Sequence, residues 1–195
     1  MRVSRARAER NRQHILTAAA RLFRENGIQA TGVDSISQEA GLTHGAFYSQ
    51  FASKEALAAE TIGLARSRWR RVWRRVAERK PARQAFRSIV ADYLSVKHRD
   101  SPGRGCVVAA LGASLPRQPR TVRAAFTREV KDAVDFLAEL VPGRNPTQRH
   151  AAAIAAFACM VGGVILARAV EDERFSAQIL RAAARRITGG GHRDG

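Results

Sequence analysis

Cysteine is scarce in this chain: Cys106 and Cys159 are the only two in 195 residues, far apart and each in apolar company. Such a pair cannot build a disulfide framework or a zinc ligand set, and a reducing cytoplasm suits it. The five histidines are scattered without metal-ligand spacing. His98 and His150 therefore read as surface residues, and neither a metal nor a cofactor is expected. There is no glycine-rich phosphate loop, no G-x-S-x-G elbow and no internal repeat, and no nucleophile and base form a constellation, which argues against an enzyme. The basic N-terminus is followed by neither an apolar core nor a cleavage site, so no export is expected. Acidic residues are the other shortage. Against 34 Lys and Arg stand 17 Asp and Glu, giving a formal net charge of +17 and a pI near 11.6. That field favours polyanions, nucleic acid first and an anionic membrane surface second. Arginine and alanine richness can equally reflect genome composition, so charge alone carries no specificity.

What is present is helical periodicity. Arg2 and Arg5 lie in an N-terminal arm with no apolar pattern, and Arg7, Arg10 and Arg12 carry the charge into a first helix. Its inward face is Ile15, Ala19, Leu22 and Phe23, closed by Asn26-Gly27 as a left-handed cap. Residues 31–54 then read as two short helices and a tight turn. Thr31-Gly-Val-Asp34 matches a capping box, Val33, Ile36 and Ala40 share a face, Gly41 permits the turn, and Leu42 restarts the pattern. Phe47 and Phe51, four apart, face inward. Thr43, His44, Gly45 and Tyr48 are left outward near the start of the second helix, with hydrogen-bonding side chains and little negative charge. A major-groove recognition helix needs those properties.

These residues resemble the N-terminal domain of TetR-family transcriptional regulators. The pattern stands here as Gly27-Ile-Gln-Ala-Thr31, then Gly41-Leu-Thr-His-Gly45-Ala-Phe47-Tyr48-Ser-Gln-Phe51, then Ser53-Lys54-Glu55. The resemblance implies that Thr43, His44 and Gly45 meet DNA, with Thr31 counted beside them, and that Tyr48 and Lys54 bind phosphates. Gln50 stands where the family often has His, and its amide donates without carrying charge. The resemblance further implies a twofold dimer on a pseudo-palindromic operator, and a repressor released by a small molecule.

Beyond Ser53, a capping residue, Ile62, Ala65, Trp69, Val72, Trp73 and Val76 keep a helical stripe as far as Lys80-Pro81, interleaved with Arg66, Arg68, Arg70, Arg71, Arg74 and Arg75. The arginines read as a solvated or acid-paired face, and the tryptophans as core or as the lining of a ligand cavity. Pro81 opens a helix carrying Phe86, Ile89, Val90, Tyr93 and Leu94. The apolar run 106–115 should be buried, and Val122, Phe126, Val130, Ala133, Leu137 and Val141 form an amphipathic helix ending at Pro142-Gly143. Residues 151–167 are the most apolar run, short for a bilayer and rich in Ala and Gly, so burial is expected rather than a membrane span.

The expected molecule is all-α, with a helix-turn-helix DNA-binding domain at 1–53, a larger helical ligand-binding and dimerisation domain at 54–188, and a disordered tail at 189–195. Candidate pocket residues are Trp69, Trp73, Phe86, Tyr93, Cys106, Phe126 and Phe157, which hint at an apolar or aromatic effector. Cys106 is alternatively a redox switch. The family likeness assigns the last two long helices to the dimer interface, through Phe157, Val161, Gly162, Ile165, Phe175 and Ile179. Two rival classes are a sequence-tolerant architectural DNA binder and an enzyme on a borrowed helical fold.

Overall fold

A computed structural model of the chain describes residues 5–189, and among these all regular structure is helical. In order the elements are α1 (Arg5–Asn26), α2 (Val33–Glu39), α3 (His44–Tyr48), α4 (Lys54–Arg79), α5 (Ala82–Tyr93), α6 (Val96–Arg99), α7 (Val107–Leu111), α8 (Arg120–Ala138), α9 (Pro146–Ala169) and α10 (Glu173–Thr188). Short 3-10 turns at Pro102–Arg104 and Gly112–Arg117 flank α7.

Local chemistry sets several of these ends. The N–H of Gly27, at φ +83°, bonds to the carbonyl of Phe23 and closes α1 in the left-handed cap expected there. The hydroxyl of Ser53 accepts the Ala56 N–H at 3.1 Å and starts α4. Asn145 caps α9 through the Gln148 N–H at 2.9 Å, with Pro146 in the first turn, where a missing N–H costs nothing. Asp172 caps α10 by accepting from the N–H groups of Arg174 and Phe175. Gly189, assigned by sequence to the tail, instead ends α10 at φ +75°; the rest of the expected tail and Arg2 of the arm lie outside the described residues.

By their contacts the residues divide into two compact units. One takes the chain up to Arg66 together with Cys106–Glu129; the other takes Ser67–Gly105 and the residues from Val130 onward. The division therefore does not follow the linear boundary at residue 53, because α7 returns to pack on α1 and because α4 and α8 each supply both units.

In the first unit Ile15, Leu16, Ala19 and Phe23 of α1 are buried with Ile28, Ile36, Phe47 and Phe51, and with Leu57, Ala58 and Ile62 of α4. Each large apolar side chain so buried contributes on the order of 1.5–3 kcal/mol. In the second unit α9 and α10 pack along one another, with α5 against α10 and α6 against α9. Gly163 makes the close approach possible: a Cβ there would lie 3.0 Å from Leu94 and 3.1 Å from Ala183. By length and composition α9 could cross a membrane, yet one side of it, including Ala153, Met160, Val164 and Ala167, is buried against its own unit.

Candidate nucleic-acid interface

The candidate interface begins with a core that fixes three helices. Phe47 of α3 is completely buried, its ring centroid 5.9 Å from that of Phe51, and Ile36 brings α2 onto the same cluster. Between α2 and α3 the chain reverses at Gly41, whose φ of +67° suits a residue without a Cβ; the N–H of Leu42 reaches back to Ser37. Arg12 lies 4.4 Å over the Phe51 ring and 2.7 Å from Glu60, fastening α1 to the first turns of α4 by a cation–π contact and an ion pair.

With Phe47 turned inward, the other side of α3 is left to solvent. Thr43, His44, Gly45 and Tyr48 are all exposed there, Tyr48 at 56%. Thr43 stands at the cap position with extended backbone, but its hydroxyl makes no cap bond. Nothing lies within 4 Å of where a Cβ of Gly45 would be, so that surface can be approached closely. The rings of His44 and Tyr48 are 5.2 Å apart, and Phe47 meets Tyr48 edge-on at 5.1 Å. His44 Nδ1 donates to the carboxylate of Asp34, which orients the ring and turns Nε2 outward. That nitrogen and the Tyr48 hydroxyl are suited to a base edge and a phosphate respectively. Sequence reading missed Asp34 in this role, since its only assigned part was the capping box.

Thr31 requires correction. Its side chain is only 2% exposed, and its hydroxyl donates to the Gly27 carbonyl at 2.7 Å, with Leu22 also within 3.4 Å. It therefore ties the end of α1 to the approach to α2 and cannot meet DNA. The capping box is absent too, because α2 starts one residue later than that motif requires, with Gly32 as its cap. Lys54 Nζ donates to the carbonyls of Thr31 at 3.1 Å and Gln29 at 3.5 Å, so this ammonium braces the same loop. An ammonium has three donors, which leaves one for a phosphate. Gln50 is half-buried, its amide 3.4 Å from the Ser49 hydroxyl.

The residues proposed for a pocket are shared between the two units. Cys106 and Phe126 belong to the first unit; Trp69, Trp73, Phe86, Tyr93 and Phe157 belong to the second. There Trp69 and Trp73 have centroids 4.6 Å apart and both meet Phe136, while Tyr93 pairs with His98 and Phe157. His98 is half-buried rather than superficial, and its Nδ1 donates to the Tyr93 carbonyl at 2.6 Å. Burial lowers its pKa below the ordinary 6.5, with Arg168 adding to the effect and the Tyr93 carbonyl and Asp92 opposing it. Arg168 donates to the carbonyls of Arg99 and His98, and Arg99 donates to Ser176, locking α6 to α9 and α10. A cleft of about 300 Å³ lies beside this network, lined by charged and polar groups, among them Arg99, Asp100, Glu173 and Ser176.

The residues expected at the dimer surface also separate. Phe157 is 5% exposed and turned inward, so it has no free face to offer a second chain. Ile165 and Phe175 are exposed, Phe175 at 50%; Val161, Gly162 and Ile179 are half-buried. Ile154 and Leu166, not singled out by sequence, add exposed apolar surface on α9. No disulfide joins Cys106 and Cys159, and burial pushes the Cys159 thiol up, against the opposing effect of Arg186.

Residues 15–61 match the model of the family described as bacterial regulatory proteins, tetR family. The chain is 39% identical over 66 residues to the HTH-type transcriptional regulator AcrR of Shigella flexneri, a match covering 34% of this chain and 31% of that protein. It is 30% identical over 94 residues to an HTH-type transcriptional regulator, YerO, of Bacillus subtilis, covering 46% of this chain and 32% of that one. The matched stretches thus span about a third of the length of these curated relatives. The fold likeness reaches further. The crystal structure of a TetR transcriptional regulator from Legionella pneumophila superposes with a TM-score of 0.80, covering 98% of this chain and 100% of that one at 17% identity.

Proposed function

We propose that this chain, whose residues 15–61 match the tetR family of bacterial regulatory proteins, is a regulator of that family and acts on transcription by binding operator DNA through the exposed side of α3. The observation that carries the reading is the sorting of α3 itself: Phe47 is completely buried while Thr43, His44, Gly45 and Tyr48 face solvent together. His44 and Thr43 read base edges, Gly45 admits the groove wall, and Tyr48 and Lys54 hold phosphates.

The regulator acts in the cytoplasm as a homodimer on a pseudo-palindromic operator, since two heads related by a twofold axis demand two related half-sites. The apolar surface of Ile154, Ile165, Leu166 and Phe175 on α9 and α10 supports self-association there. It is a repressor, released when an apolar or aromatic effector enters beside the rings of Trp69, Trp73 and Phe136. Release requires that the effector bind the DNA-incompetent state better, with α4 carrying the change because its residues belong to both units.

Selection of genomic fragments by the purified chain tests the reading. Enrichment of a pseudo-palindromic site, lost in a His44→Ala, Tyr48→Ala variant, is the expected result. Equal affinity for selected and random duplex at one salt concentration would instead favour the architectural reading that the +17 charge also suits.

A further inference from the structure

The second unit carries a basic surface that the reading head does not use. On the distal half of α4, Arg68, Arg71, Arg75 and Arg79 recur at three- and four-residue steps and are all exposed, with Arg74 exposed beside them. At 1.5 Å per residue the four span about 16 Å on one side of the helix. Four arginines are held by acids: Arg12 by Glu60, Arg21 by Glu25 and Glu39, Arg70 of the same helix by Asp132, and Arg99 by Asp100. On the stripe, among the described residues, none of these five arginines is in an ion pair; Arg75 Nε donates only to the Arg71 carbonyl. Glu78 is the one acid between Glu60 and Asp92. Like charges three and four apart repel along a helix, so an unneutralised row disfavours the very helix it decorates.

We propose that this stripe is a second phosphate-binding surface, which grips the backbone of duplex DNA without reading its sequence. The proposal rests on the reading that the head binds duplex DNA. A duplex carries one negative charge per about 1.7 Å of axis, about ten along the length of the stripe, so it offers a phosphate to each of these arginines. An anionic bilayer fits less well. An interfacial helix immerses its apolar face in lipid, whereas Ile62, Ala65 and Trp73 of α4 are buried in the protein. Single-stranded RNA fits less well too, since its binding relies on exposed aromatic platforms, and the exposed large apolar side chains beside the stripe are Leu64 and Val72.

The test measures the salt dependence of binding of the full chain to a long random-sequence duplex. A variant with Arg68, Arg71, Arg75 and Arg79 all changed to Gln should lower the magnitude of the log–log slope by about 3 to 4, one for each phosphate released. The matching four-fold Arg→Lys variant should restore it, which separates charge from folding. An unchanged slope in the Gln variant, or loss in both variants alike, overturns the proposal. So does a Gln variant that keeps its duplex slope but loses binding to phosphatidylserine vesicles or to single-stranded RNA. A His44→Ala, Tyr48→Ala variant is measured in parallel. If the stripe acts, that variant retains the stripe's share of the slope, whereas unaltered selection of sites by it would refute the head reading alone.

Discussion

Asp34 and His44, ten residues apart, meet across the turn at Gly41, where the histidine Nδ1–H donates to the aspartate carboxylate. Both side chains are exposed, so the bond contributes little to global stability, but it fixes which ring nitrogen faces outward. Asp34→Ala should therefore relax base preference by about 1 kcal/mol, roughly five-fold, without weakening binding to random duplex. Competition between a selected site and random DNA checks it, and unchanged preference would remove the orienting role.

Tyr48 is held by the rings of His44 and Phe47 and leaves its hydroxyl in solvent. Tyr48→Phe keeps both ring contacts and removes only that group. DNA affinity should fall by about 1 kcal/mol at constant thermal stability. Titration of labelled duplex would show whether the loss is there.

Thr31 predicts the opposite pattern. Thr31→Val preserves shape and deletes the donor to the Gly27 carbonyl, so unfolding stability should drop by about 1 kcal/mol. DNA affinity, measured where both proteins are fully folded, should not change. A loss of affinity under those conditions would return Thr31 to the interface.

Gly162 and Gly163 are adjacent and should behave differently. Gly163→Ala forces a Cβ within 3.0 Å of Leu94 and 3.1 Å of Ala183, and a destabilisation of about 1–3 kcal/mol is expected in chemical denaturation. Gly162 has open space around it, so Gly162→Leu should leave the fold intact while disturbing self-association in sedimentation. An unchanged dimer would move the interface away from that part of α9.

His98 links stability to pH. Burial holds its folded pKa below 6.5, so beneath 6.5 the unfolded chain binds more protons than the folded one. Its contribution is complete above 6.5 and is lost as pH falls through 6.5 toward the lower folded value. Thermal unfolding followed from about pH 7.5 to about 5.5 should reveal the decline, and His98→Asn should flatten it.

The sequence by itself determined the all-helical class, the helix-turn-helix and the outward set on α3. Those follow from periodicities of three and four residues and from Gly27 and Gly41, whose positive φ angles are local properties. Apolar residues at helical spacing have one way to be buried together, and Phe47 and Phe51 took it. Tertiary structure alone decided the rest. Thr31 looked like a cap because its neighbours fit the motif, yet carbonyls from the end of α1 claim its hydroxyl. Asp34 gained a partner ten residues away, and Phe157 was turned inward while Leu166, on the same helix, was left out at 56% exposure. Which unit each candidate pocket residue belongs to was likewise decided in three dimensions, since Cys106 and Phe126 joined the first and the others the second. Helical spacing states which residues share a face; which neighbour covers that face depends on how distant segments return, and the spacing carries no record of that return.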